Sequence, residues 1–196
     1  MRVVVVYCHP HEDSYIGSLF HLTLDRLSLG GHEVKVHDLY RDEFNPVMSD
    51  AEWFAYRNGE TKPDQLADAY RSDLIDADAL VFVYPTWWYG MPALLKGYVD
   101  RVWSPGFAFS IVNGRPERAK LSSITKFVVV TTYGAPWWWI KIPMRDAHKN
   151  VMMRGLRQNL ARRCVTSWLA AYGMDRHRPT YLGRFRERVR KAMVGL

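Results

Sequence analysis

RVVVVYCHPHEDSYIGSLFHLTLDRLSLGGHEVKVH, residues Arg2 to His37, is the stretch that decides the fold. It opens on Arg2–Cys8, a continuous β-branched run, the pattern of a strand buried on both faces as parallel sheets require. After the turn His9 to Ser14, residues Ile16, Leu19, Phe20, Leu22, Leu24 and Leu27 mark one helix face. That helix stops at Gly30-Gly31, where glycine supplies the backbone freedom of a helix end. His32 to His37 then alternates as a short strand. Strand, helix and strand make a βαβ unit, whose crossover is expected to be right-handed.

The same grammar continues outward. Residues 38–63 are irregular, with Asn45-Pro46, Asn58-Gly59 and Lys62-Pro63 as breakers. Within them a short helix is expected from Ser49 to Tyr56, with Ser49 as N-cap and Glu52 three residues on. A further helix is expected from Pro63 to Asp76, then a buried strand from Ala79 to Tyr84 stopped by Pro85. Met91 to Trp103 reads as helix, Ser104 to Ser123 as a loop-rich excursion, and Phe127 to Thr132 as a fourth strand. Pro143 to Arg163 is expected to be helical, Val165 to Tyr172 a fifth strand, and Pro179 to Val194 a basic amphipathic helix. Five strands alternating with helices predict one α/β domain over residues 1–196, built on a doubly wound parallel sheet.

Composition narrows the function classes. Hydrophobic residues make up 48% and charged residues 24%, ordinary for a globular enzyme. The two cysteines, Cys8 and Cys164, lie in or beside apolar runs, so neither a disulfide framework nor a metal cluster is expected. The run Val3 to Tyr7 is too short to span a membrane and no secretory signal is visible, so a cytoplasmic location is expected. The net charge is +7, with Arg176, Arg178, Arg184, Arg186, Arg188, Arg190 and Lys191 crowding the last stretch. Such a tail can meet nucleic acid, an anionic membrane surface or an acidic protein, but most often it is a solvated helix face. No aromatic-interleaved basic motif accompanies it, so no nucleic-acid partner is expected.

A doubly wound sheet binds its ligand beyond the carboxyl ends of the strands. Three loops therefore matter: His9 to Ile16, Pro85 to Met91 and Thr131 to Trp139. The first enters a helix, where main-chain amides and the helix dipole favour an anion. It lacks both the dinucleotide glycines and the GxxxxGK[ST] triphosphate loop, which disfavours ATP and Rossmann-type NAD binding. Ser14 and the amides of Tyr15 and Ile16 could hold a phosphate, although Ser14 could equally serve only as helix cap. The second loop, Pro85-Thr86-Trp87-Trp88-Tyr89-Gly90-Met91-Pro92, holds consecutive aromatics, which suits a flat ligand such as an isoalloxazine ring. In the third, Thr131, Thr132, Tyr133 and Gly134 could contact the other edge of such a ring. Trp137, Trp138 and Trp139 cannot all face one core, so at least one is expected at a pocket or subunit interface.

The motifs Y-C-H-P-x-x-x-S (7–14), Y-P-T-W-W-Y-G-M-P-A-x-L-K-G-Y-x-D-R-V (84–102) and T-T-Y-G (131–134) resemble the NAD(P)H quinone reductases of the flavodoxin-like superfamily. That group includes the mammalian quinone reductases and the bacterial ancillary flavoproteins of potassium efflux. The likeness runs from Met1 to Gly134 and is strongest from Tyr84 to Val102. It implies a five-stranded sheet of order 2-1-3-4-5 and a bound flavin, FMN in preference to FAD. The chain after Gly173 leaves little for an adenosine half. It also implies that NAD(P)H delivers hydride and leaves, and that a quinone-like acceptor then takes its place, a ping-pong reaction with no obligatory protein acid or base. By the resemblance, His9, Ser14, Tyr15 and Ile16 form the phosphate and ribityl loop, Pro85, Thr86, Trp87, Trp88 and Tyr89 border the ring, and Thr131, Thr132, Tyr133 and Gly134 meet its other edge. Relatives often carry glycine where Tyr133 stands, so Tyr133 is expected to narrow the space above the ring. The tyrosine and histidine with which some relatives relay charge have no convincing counterparts; His148 is expected on a helix surface. A homodimer closing the flavin site is implied. A regulatory flavoprotein docked on a membrane transporter is the alternative, and a flavodoxin-like one-electron carrier is disfavoured by the basic charge.

Overall fold

The computed structural model describes residues 1–60, 62–112, 115–117, 120–176 and 179–196. Arg178 of the basic tail lies outside the described residues. The strands are β1 (Arg2–Tyr7), β2 (Glu33–Asp38), β3 (Ala79–Pro85), β4 (Ser110–Val112), β5 (Arg115–Glu117), β6 (Lys126–Tyr133) and β7 (Val165–Tyr172). The helices are α1 (Tyr15–Leu29), α2 (Asp50–Arg57), α3 (Gln65–Ile75), α4 (Ala93–Val102), α5 (Trp137–Lys141), α6 (Ala147–Asn150) and α7 (Pro179–Val194).

Five strands pair in parallel in the order β2-β1-β3-β6-β7, the expected 2-1-3-4-5 order of the five principal strands. Side chains alternate across this sheet because successive residues of a strand point to opposite faces. Val3, Val5, Val81, Val83 and Val130 pack with Leu19, Phe20 and Leu27 of α1 and with Phe185, Val189 and Met193 of α7. Val4, Val6, Leu80, Phe82, Phe127 and Val129 meet Tyr70 and Leu74 of α3 and Leu95, Tyr98 and Val102 of α4 on the other side. Burying each such Val or Phe contributes about 1.5–3 kcal/mol, and both faces are covered, so the strands need the continuous apolar runs they carry. Cys8 and Cys164 are buried and unpaired. No described helix is long and apolar enough to cross a membrane.

Local signals explain the helix ends. Ser49 and Glu52 form a capping box at α2, and Asp64 accepts the Ala67 N–H at 2.8 Å to start α3. The second half of the long motif turns out to build the scaffold. Gly97 admits Pro46, because a Cβ there would lie 2.3 Å from the proline ring. Tyr98 Oη lies 3.0 Å from His37 Nδ1, and Arg101 binds Glu52 at 2.7 Å and Asp64 at 2.6 Å.

Two expectations need correction. The excursion 104–123 contains the β4–β5 hairpin; strands of three residues are too short to show a period-2 pattern. The helix expected over 143–163 begins only at Ala147 and breaks into a π-helical turn, Val151–Gly155, and a 3-10 turn, Leu156–Asn159. Asp146, with φ 54°, is left-handed and cannot continue a helix from before it.

Candidate active site

The carboxyl ends of β1, β3 and β6 lie side by side, so their loops converge. Ser14 caps α1: its Oγ accepts the Gly17 N–H at 3.0 Å and donates to His11 O at 2.8 Å. Capping leaves the main-chain N–H groups of Tyr15 and Ile16 with no partner among the described residues. The side chains of both are committed elsewhere. Ile16 is core, and Tyr15 Oη donates to Leu182 O at 2.8 Å. Gly17 is required here, because a Cβ would lie 2.0 Å from Glu12 O where the loop folds over the helix start. His9 Nδ1 lies 2.8 Å from His11 O and 3.1 Å from Ser14 Oγ, which leaves Nε2 as its free ring nitrogen. The His9 ring stands 6.4 Å from the Trp87 ring, centroid to centroid, so the first and second loops meet.

The second loop is a tight turn. Trp87 and Gly90 exchange main-chain hydrogen bonds of 3.2 and 3.0 Å, and Trp88 (φ 49°) and Tyr89 (φ 60°) form its tip. Two consecutive left-handed residues suit Asn-Gly; held by bulky aromatics they store strain of about 1–3 kcal/mol each, which tends to gather at functional sites. The N–H groups of Trp88 and Tyr89 have no partner among the described residues. The Trp88 side chain is 95% exposed.

Thr86 joins the second loop to the third. Its N–H donates to Thr132 O at 2.8 Å, and its Oγ1 lies 2.9 Å from Thr131 Oγ1. Pro85, Thr131 and Thr132 are buried, so they brace the site and offer it little surface. Tyr133 is buried too: its ring stacks on Tyr172 at 5.1 Å and forms part of the cleft wall. Its Oη is buried close to Thr86, and burial raises its pKa. Trp137, Trp138 and Trp139 of α5 are 60%, 49% and 39% exposed, and Trp139 Nε1 donates to Tyr89 Oη at 3.2 Å.

Between these loops lies an open cleft of about 300 Å³, walled by Thr86, Trp88, Tyr89, Tyr133, Gly134, Ala135 and Asp175. Asp175 escaped the sequence reading. It arrives on a short turn after β7, Met174–Arg176, and packs over Gly134, where a Cβ would lie 2.8 Å from its Oδ2. No single-sequence signal marks an acidic residue forty positions beyond the loop it joins. His148 requires a correction as well. It is 4% exposed, its Nε2 lies 2.6 Å from Tyr84 Oη, and burial pushes its pKa down to about 4. The left-handed Arg145 and Asp146 turn the chain so that His148 faces the sheet.

Residues 1–186 match the family model described as flavodoxin-like fold. An uncharacterized NAD(P)H oxidoreductase of Escherichia coli (strain K12) is 37% identical over 108 residues, 55% of this chain. The chain spans little over half of that relative's length, 55%. The ribosyldihydronicotinamide dehydrogenase [quinone] of Pongo abelii is 34% identical over 156 residues, covering 71% of this chain and 67% of that one. Among solved structures, the NAD(P)H:quinone oxidoreductase from Methanothermobacter marburgensis has a TM-score of 0.83 at 26% identity, covering 98% of this chain and 96% of its own.

Proposed function

The chain belongs to the family of flavodoxin-like fold, and on that premise we propose that it is a flavin-dependent NAD(P)H oxidoreductase reducing quinones or similar flat aromatic acceptors by two electrons. The observation that supports this reading is an aromatic cleft lined by Trp88 and Tyr89, whose main-chain N–H groups have no partner among the described residues, with a second such pair, Tyr15 and Ile16, at the start of α1. A phosphate-bearing aromatic ring with an electron-rich edge needs that combination of donors.

FMN is the better fit, with FAD the alternative. The amides of Tyr15 and Ile16, the α1 dipole and the Ser14 hydroxyl would hold the phosphate, with His9 beside it. Trp87, Trp88 and Tyr89 would border the ring, and the amides of Trp88 and Tyr89 would stabilise negative charge on it. Pro85, Thr86, Thr131 and Thr132 would keep the loops in register, and Gly134 leaves the other edge open. The flavin supplies hydride acceptance from NAD(P)H and hydride donation to the acceptor. Donor and acceptor share one open cleft, so they follow one another in ping-pong order. His148, buried and held neutral, is no acid for the reaction at neutral pH. The setting is cytoplasmic, with a small aromatic acceptor and no nucleic acid.

The assembly is a homodimer. Trp88 and the three tryptophans of α5 leave an apolar surface beside the cleft that a second copy would cover. The exposed Arg184, Arg188 and Lys191 of α7 favour one alternative, a regulatory flavoprotein docked on a membrane transporter. Steady-state NAD(P)H oxidation with benzoquinone separates the two. Rapid turnover with parallel double-reciprocal lines is expected; negligible turnover by flavin-loaded protein supports the regulatory reading. Sedimentation at micromolar concentration is expected to give a dimer, and a fully active monomer would refute it.

A further inference from the structure

We propose that Asp175 sets the charge preference of the cleft, so that it favours cationic or neutral flat rings and turns away anionic ones. Such rings would include a pyridinium on one side and sulfonated quinones on the other. This rests on the reading of the cleft as the flavin site, over whose ring nicotinamide and acceptor bind in turn beside Asp175.

The cleft has one carboxylate and no cationic side chain in its lining. Asp175 forms no hydrogen bond or ion pair with any described residue, and its carboxyl group lies directly over the Gly134 backbone. Lys141 of α5 pairs with Asp146, and Arg176, next to Asp175 in the chain, is exposed and outside the cleft lining. Trp88 and Tyr89 share the cleft lining with the carboxylate, and aromatic ring faces attract cations. A carboxylate with aromatic neighbours is the chemistry that recognises a flat cation. The dihydronicotinamide of the donor becomes such a cation when it gives hydride to the flavin, so Asp175 also favours the oxidised donor.

The preference runs against the rest of the molecule. A net charge of +7 attracts anions from a distance, but that attraction is screened within about 8 Å at physiological ionic strength. Contact inside the cleft is screened far less. A unit charge pair about 4 Å apart shifts binding about fivefold in bulk water and several hundredfold in a half-dry site. Asp175 is exposed at the rim, so an effect near the lower end, about tenfold, is expected.

The test uses the protein as purified and two probes that differ by one N-methyl group and the unit charge it brings, 1-methylnicotinamide and nicotinamide. Binding is read from tryptophan fluorescence, to which Trp88 in the wall contributes, with or without a bound flavin. Wild type is expected to prefer the cation about tenfold, Asp175→Asn to lose that preference, and Asp175→Glu to retain it. The preference should persist at about 1 M salt, where the Debye length is about 3 Å and the long-range field is gone. A ratio of affinities unchanged in Asp175→Asn, or absent in wild type, overturns the proposal. Turnover with a sulfonated and an unsulfonated quinone adds a second reading: Asp175→Asn is expected to gain about tenfold in kcat/KM for the sulfonated acceptor only. Protein without any flavin would sink the oxidoreductase reading while leaving the nicotinamide comparison intact.

Discussion

The two ends of the sheet differ in kind. At the amino ends of the strands the backbone is fully tied: Glu33 N–H donates to Met1 O, Asp78 to Arg2 O, Thr125 to Asp78 O and Val165 to Thr125 O. Asp78 Oδ2 also accepts the Arg2 N–H at 2.7 Å, and Arg2 pairs with Asp76 at 3.2 Å. At the carboxyl ends the amides of Tyr15, Ile16, Trp88 and Tyr89 lack partners, two aromatics sit at positive φ, and tryptophans face solvent. The cited main-chain groups of one end bond to each other, although His32 Nδ1 just before β2 is buried with no partner among the described residues, and the other end leaves four amides open. The difference teaches where stability and function separate in this chain.

The largest effect that would sharpen the comparison is with pH, beneath the carboxyl end. Burial holds the folded pKa of His148 at about 4, against 6.5 ordinarily. Below pH 6.5 the unfolded chain takes up a proton that the folded chain refuses. Stability should therefore be full above about pH 6.5, fall as pH drops toward 4, and level off below it. That difference is worth about 3 kcal/mol. Denaturant titrations across this range are expected to show the fall, and His148→Gln to flatten part of it; His37, likewise pushed down to about 4 by burial, keeps its own share. An unchanged slope in His148→Gln would place the histidine in water.

Ser14→Ala and Asp78→Ala test the two ends directly. Ser14→Ala should weaken cofactor affinity by about 1–3 kcal/mol, the loss expected for a hydrogen bond to a charged group, and lose about 1 kcal/mol of stability with the helix cap. Asp78→Ala should lower stability by about 0.5–1.5 kcal/mol and leave cofactor affinity alone. If cofactor titration finds Ser14→Ala as tight as wild type, the serine is only a cap.

The alternating runs of β1, β3 and β6 were legible because burial on both faces demands continuous apolar residues, and Ser49 with Glu52 announced α2 through local chemistry. The second loop stood out because consecutive aromatics in a turn have no place in a core, whereas Trp137 to Trp139, read as loop, begin helix α5. Other features depend on tertiary placement. Asp175 reaches the cleft only because β7 lies beside β6, and His148 turns inward only because Arg145 and Asp146 adopt left-handed backbone. Neither leaves a periodic mark. The long motif carried the resemblance, and its Gly97, Tyr98 and Arg101 hold the scaffold.

The smallest expected effect separates strain from packing. Trp88 is almost wholly exposed and left-handed, so Trp88→Gly removes strain without emptying a core. A gain of about 0.5–1 kcal/mol in stability is expected after the flexibility of glycine in the unfolded chain is counted, together with weaker cofactor binding. Thermal unfolding of cofactor-free protein reads the first, and a loss of stability there would mean that the turn is not strained.

The most direct test of the account is the absorption spectrum and mass of whatever is released from the purified, denatured protein. The account predicts a yellow protein with oxidised flavin bands and a released compound with the mass of FMN. FAD in its place would correct the cofactor and keep the reaction. Protein that is colourless, and stays colourless after incubation with FMN and with FAD, would contradict the central claim.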